Sequence, residues 1–473
     1  MSNRFIALLT VASVLAGRAA VAQPIESPSP SPFPTSAAAS SPTSSPALPP
    51  AGVIPADVSL DVTGSPGITP DALDTQLLAA LDQHIRPTLR PNAVVRYGPI
   101  VPWPLLPLAA GSRTAVNVTV TIEGDSASTT VTGVTTATID NVVVAPAMPS
   151  VLFLSDDPEY LQTDGLIFRG QVSAARPARL YYYHSDIGVP RDLDVVLTAT
   201  IPSRVQLIES AAGPDLDVMS VGHTVTRDLL QFEEANEGTV VDIEPGKPFI
   251  ARHALMVQGE LVAGAADVRV ISGGAVTVSV IASAAGGHPD AYLSGPRMPF
   301  DGHDRHGMFD LDGFGNIAQS YVVGGPDVAV HYGGRTPTPR SLDPTDPGHD
   351  YGDYGIVHRI TFGLANPGDT PQLVYLYEKP LAGPVRSSFL VDGQLKELGC
   401  VRVPQPYWIA TYQVPAHSSG ISTTVTMTDG GSFYPLEFGV TNTQPLPYTP
   451  PVGTSNGCSP NVTSSPNPTT EKK

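Results

Sequence analysis

The sequence predicts a mainly β protein, with two β-sandwich domains preceded by a small α+β domain, and three observations lead there. Charged residues make up only 15% of the chain, and 50 Pro with 44 Gly favour a turn-rich β architecture over helix bundles. Runs rich in Val, Ile, Thr and Tyr recur with short polar connections, as sandwich strands do. Helical spacing of apolar residues is strong in one place only.

The chain opens with Arg4, an apolar run over 5–16 and Ala20-Val21-Ala22, small residues that suit signal-peptidase cleavage before Gln23. That run is well short of the roughly 20 residues a membrane span requires. Residues 1–22 therefore read as a signal peptide and the protein as secreted or cell-surface. Residues 23–52 form a Pro/Ser-rich disordered linker, with nine prolines among the 27 residues 24–50, a composition suited to an extended spacer.

The α+β domain spans 53–149. Thr69 is a good N-cap, Pro70 suits the first helical position, and Leu73, Leu77, Leu81 and Ile85 recur every four residues until Pro87 stops the pattern. Val116, Val118, Val120 and Ile122 then alternate with polar residues, and Glu123-Gly124-Asp125 turns the chain into further strands over 129–134 and 139–144. The first sandwich, 150–285, is read from strands at 180–184, 195–200, 204–208, 268–271 and 276–281, with a short helix expected over 225–235. Residues 286–350 form an irregular Gly/Pro/Asp/His-rich connection with short strands. A second sandwich, 351–444, follows from strands at 356–364, 373–377, 387–391, 407–414, 421–427 and 436–440, and residues 445–473 read as a disordered tail.

Composition also excludes functions. A net charge of -18 without any Lys/Arg run argues against nucleic acid as partner, and no apolar stretch after residue 22 is long enough to span a membrane. Cys400 and Cys458 allow at most one bridge, and spacing does not decide whether they pair. No nucleophile elbow, H-E-x-x-H, phosphate-binding loop or dinucleotide fingerprint occurs, so no catalytic or cofactor-binding residue is assigned. A catalytic carboxylate pair leaves no compulsory linear motif, and a sugar hydrolase escapes this scan.

The polar cluster Asp301-Gly302-His303-Asp304-Arg305-His306-Gly307, followed by Asp310-Leu311-Asp312-Gly313, supplies the candidate ligands for a divalent cation: His303, His306, Asp310 and Asp312. Its spacing fits no known ligand loop, and turn hydrogen bonding is the expectation. The acidic loop 343–353 has the same bland explanation. In Tyr181-Tyr182-Tyr183-His184, alternation places Tyr182 with His184 on one face and Tyr181 with Tyr183 on the other. Such a face stacks on a sugar ring or, more ordinarily, stabilises a sheet. His223 and His253 have no neighbour in sequence that would identify an acid, base or ligand. Asn117-Val118-Thr119 and Asn461-Val462-Thr463 are formal glycosylation sequons.

Over roughly 151–440 the order of landmarks resembles an uncharacterised family of exported bacterial β-sandwich proteins, some of whose members carry a stalk domain like the N-terminal domain of copper amine oxidases. The residues are Asp157-Pro158-Glu159, Leu180-Tyr181-Tyr182-Tyr183-His184, Ala212-Gly213-Pro214, Val221-Gly222-His223, Arg305-His306-Gly307-Met308-Phe309 and Asp353-Tyr354-Gly355. The resemblance implies an exported, surface-associated β protein and supplies no catalytic residues.

Two functions follow as expectations. The first is an exported, non-enzymatic envelope, adhesion or matrix protein whose partner is a cell-envelope or extracellular polymer. The alternative is a secreted carbohydrate-binding or carbohydrate-active protein, which a cleft joining two facing carboxylates to exposed aromatic rings would favour.

Overall fold

The computed structural model describes residues 48–103, 107–302, 305–345 and 348–447. The signal-peptide reading, most of the Pro/Ser linker and nearly all of the C-terminal tail lie outside them. Among the described residues there are 27 strands and two α-helices, so the protein is mainly β. No helix among them is long and apolar enough to cross a membrane.

A single long sheet organises the fold. Strands Arg113–Glu123, Val131–Asn141 and Asp57–Thr63 form one end of it, and Asp57–Thr63 pairs antiparallel with Gly238–Ile243, Asp61 lying opposite Val240. Pairing then runs through Ser203–Asp215, Leu261–Ser272, Ala178–Asp186 and Val151–Ser155 to His306–Asp310. Hydrogen bonding thus passes without a break between chain regions before and after residue 150.

Each face of this sheet is covered by what its alternation dictates. Helix α1 (Pro70–Ile85) begins at Thr69, whose hydroxyl accepts from the Ala72 N–H, and buries Leu73, Leu77, Leu81 and Ile85 against Val118, Val120 and Ile139. Farther along, a four-stranded sheet of Phe249–Met256, Arg191–Ala199, Val276–Ala284 and Gly165–Val172 closes the first sandwich, with Phe153, Phe168, Leu180, Tyr182 and Val280 in its core. The opposite face carries Tyr181 and Tyr183, which pack with Val225, Leu229 and Leu230 of helix α2 (Val218–Glu234). The tyrosine run therefore alternates as its spacing predicts, one ring inward and two outward.

Helix α2 begins seven residues before the expected 225, capped by Asp217, which accepts from the Ser220 N–H. Beyond it stands the second sandwich. One sheet is Asn316–Val322, Val357–Asn366, Ser418–Met427, Val385–Val391 and Gln394–Val401; the other is Val328–Tyr332, Leu436–Thr441, Gln372–Pro380 and Tyr407–Val414. Phe362, Phe389 and Phe438 stack in its core. Cys400 is disulfide-bonded, and Cys458 lies outside the described residues.

Candidate functional site

A cleft of about 650 Å³ opens where the long sheet meets loops of the second sandwich. Tyr181 and Tyr183 come from strand Ala178–Asp186, Asp156 and Glu159 from the chain just after Val151–Ser155, and Arg305 from the residue before His306–Asp310. Gly333-Gly334-Arg335 follows strand Val328–Tyr332, Tyr351 and Tyr354 precede Val357–Asn366, and the segment from Gly431 to Pro435 precedes Leu436–Thr441. Strand ends and turns thus surround the cleft, and the sheets beneath hold them in place.

Aromatic rings dominate the lining. Tyr354 stacks on Tyr181 at 5.9 Å between centroids and meets Tyr434 edge-on at 6.3 Å, offset and perpendicular arrangements that the ring quadrupole favours. The Arg305 guanidinium lies 5.9 Å from the Tyr354 centroid, and Arg335 lies 5.0 Å from that of Tyr351, which also stacks on His349. Phe433 is 50% exposed, so part of the aromatic lining is free to meet a ligand. Gly333 has a φ of +74, and a Cβ there would come within 2.6 Å of the Tyr434 ring; its N–H donates to Asp353 Oδ2 at 2.7 Å.

The carboxylates of the cleft converge on one cation. Arg305 donates through Nε to Asp156 and through Nη2 to Glu159. Burial pushes the Asp156 carboxyl well above its ordinary range despite this partner, and among the described residues its Oδ1 accepts no hydrogen bond. Asp350, fully buried behind Tyr354 and accepting from that residue's N–H at 2.9 Å, is raised by burial and then by Asp353. The Tyr181 hydroxyl is buried and has no hydrogen-bond partner among the described residues.

The histidine and aspartate loop singled out in the sequence is spread over different tasks. His303 lies outside the described residues. His306 stacks on Phe300, with centroids 3.7 Å apart, and its Nδ1 lies 3.2 Å from Asp157 Oδ2. Asp310 stands at the other end of the same strand, where a hydrogen bond from Arg340 holds its carboxyl below the usual range and its Oδ1 accepts from the Asp312 N–H. Asp301 accepts from the N–H groups of Glu159 and Tyr160, ordering the turn that carries Glu159 into the cleft. Among the described residues, no three His, Cys, Asp or Glu side chains are placed to hold a metal ion.

Partners distant in sequence account for the other histidines. His223 Nδ1 lies 2.6 Å from Asp429 Oδ2 and Nε2 3.0 Å from Glu397 Oε1, linking α2 to the second sandwich. His253 lies between Asp194, at 2.8 Å, and Asp192, at 3.5 Å. His184 is fully buried; its Nδ1 meets the Pro158 carbonyl and its Nε2 the Ser155 hydroxyl. In the acidic loop, Asp343 Oδ1 accepts from the N–H and hydroxyl of Thr345, the turn bonding expected of it.

Five of the cleft residues, Glu159, Tyr181, Tyr183, Arg305 and Tyr354, are among the landmarks that carry the family resemblance. Arg335, Phe433 and Tyr434 line the cleft without any such signal in the sequence. These belong to short turns whose composition is ordinary, and only the second sandwich's long-range pairing brings them to the cleft.

The chain matches no family model and no curated protein. Solved structures similar to parts of it include the tandem CBM22 domains of Paenibacillus barcinonensis Xyn10C, at 11% identity over 58% of this chain and 85% of that one, with a TM-score of 0.13. The PBSX exported protein XepA aligns at 10% identity over 63% of this chain and 90% of its own, with a TM-score of 0.13. Tripeptidyl peptidase 2 aligns at 11% identity over 75% of this chain and 30% of its own, with a TM-score of 0.16.

Proposed function

We propose that the protein is an exported, non-enzymatic component of an envelope or extracellular matrix, and that its cleft binds a polysaccharide. The carrying observation is the cleft's combination of tyrosine and phenylalanine rings with fixed polar groups. Flat apolar rings suit the C–H faces of pyranose sugars, while the guanidinium and carboxylate groups suit their hydroxyls. Phe433 is half exposed at this site and Tyr351 is braced by Arg335, so the stacking surface is present before a ligand arrives.

The arrangement of charge favours binding over hydrolysis. A glycosidase holds two carboxyl groups on either side of the scissile bond, with room between them for sugar or water. Asp156 and Glu159 instead share a single guanidinium, which occupies that position. The signal-like N-terminus fits an extracellular polymer as the partner.

The test is a glycan array followed by titration calorimetry on the full chain. Saturable binding to a polysaccharide is expected, with Tyr351→Ala and Phe433→Ala each weakening it about tenfold at unchanged melting temperature. Absence of saturable binding to any glycan, or binding indifferent to both substitutions, would overturn the proposal.

A further inference from the structure

Resting on the polysaccharide reading of the cleft, we propose that Arg335 makes the site selective for acidic sugars, by pairing with the carboxylate of a uronate residue in the polymer. The cleft holds two arginines in contrasting states. Arg305 is committed to the cleft's own carboxylates, giving Nε to Asp156 and Nη2 to Glu159. Arg335 is exposed at the rim and, among the described residues, forms no ion pair; it lies over the Tyr351 ring, 5.0 Å from centroid to guanidinium carbon.

That contact matters because of what it leaves open. Stacking on an aromatic ring orients the planar guanidinium while leaving its N–H edge free, and that edge matches a carboxylate with two parallel hydrogen bonds. Tyr351 is in turn stacked on His349, at 4.8 Å between centroids, so the platform under the guanidinium is itself braced. Gly333 and Gly334 precede Arg335 and place no side chain between it and the cleft. One polymer chain can therefore lie against the rings while a carboxylate on one of its sugars reaches Arg335. The net charge of -18 opposes a polyanion at long range, but at physiological ionic strength that repulsion is screened beyond about 8 Å.

The experiment compares oligogalacturonate, oligomannuronate and oligoglucuronate with their carboxyl-reduced, neutral counterparts by titration calorimetry on the full chain and on Arg335→Gln and Arg335→Lys. The expected result is that at least one uronate binds about tenfold more tightly than its reduced form. Arg335→Gln erases that difference, and Arg335→Lys restores only part of it because an ammonium lacks the two-pronged edge. Equal binding of a uronate and its reduced form, or a preference that survives Arg335→Gln, overturns this proposal and leaves polysaccharide binding standing. Stronger binding of a sulfated glycan than of any uronate overturns the carboxylate assignment. If neither form of any sugar binds, the polysaccharide reading falls and this one with it.

Discussion

Gly222 on α2 lies against the backbone of Gly430 so closely that a Cβ at 222 would stand 2.0 Å from the Gly430 carbonyl oxygen. This contact is where the helix meets the turn leading into the cleft wall at Gly431. In an isolated helix, replacing Gly by Ala gains about 1 kcal/mol. Here Gly222→Ala is expected to lower the melting temperature, because overpacking against rigid backbone costs about 1–3 kcal/mol and no side chain is free to yield. Gly420→Ala, on an exposed strand with nothing within 4 Å, is the control and should leave stability within about 0.5 kcal/mol of the parent. Thermal unfolding of the two variants separates the outcomes by sign.

His223 predicts an alkaline weakening of the same junction. Burial alone would lower its pKa, but Asp429 and then Glu397 outweigh this and raise it to about 9. A raised folded pKa contributes stability that is full below the unfolded value of about 6.5 and is lost as pH rises through 9. Urea unfolding between pH 6.5 and 9.5 should show a decline, and His223→Gln should flatten it. An unchanged slope in the variant would show that other groups govern that limb.

His184 works in the opposite direction. Burial pushes its pKa down to about 4, against the Pro158 carbonyl, which favours the protonated ring. Between about pH 6.5 and 4 the unfolded chain binds a proton that the folded chain refuses, so stability falls as pH falls through this window, with an upper bound of about 3 kcal/mol. His184→Asn should lower stability at pH 7 and reduce the acid slope, measured by denaturant titration at pH 7, 5.5 and 4.5.

Arg179 tests the packing of the long sheet against α2. Its side chain is almost wholly buried, forked onto both oxygens of Asp267 at 2.6 and 2.9 Å and bonded to Glu233 at 2.7 Å. Arg179→Met would strand the buried Asp267 carboxylate and leave Glu233 to Arg359 alone, a loss of about 3–5 kcal/mol in chemical denaturation. Arg359→Met removes a partly exposed arginine that shares Glu233 with Arg179, so its cost should be much smaller. Equal costs would refute the assignment of Arg179 as the principal counter-ion.

The local parts of this fold are legible in the sequence, and their assembly is not. Thr69, Pro70 and the four-residue spacing of leucines give α1 its start and buried face because capping and amphipathicity are both local. The strand Tyr407–Val414 has the predicted bounds, and Gly368 donates to Asn366 Oδ1 in the predicted turn. By contrast, the first turns of α2 contain Gly222, Ser220 and β-branched residues of low helix propensity; packing on the long sheet, not intrinsic preference, holds them helical. Two strands expected over 129–134 and 139–144 are one strand, Val131–Asn141, because its partner Arg113–Glu123 pairs along its whole length. The tyrosine run marked one part of the cleft, but nothing near Phe433 or Arg335 in the sequence shows that those residues meet it.

The pairing of Asp61, Val62 and Thr63 with Val240, Thr239 and Gly238 makes the N-terminal strands a cover as well as a structural layer. A shortened chain starting near residue 150 would keep both sandwiches yet leave the backbone groups of residues 238–240 unpaired along one side. A bare edge of this kind invites strand addition from a neighbouring copy, so trimming the protein to its sandwiches would turn an interior strand into a self-adhesive border.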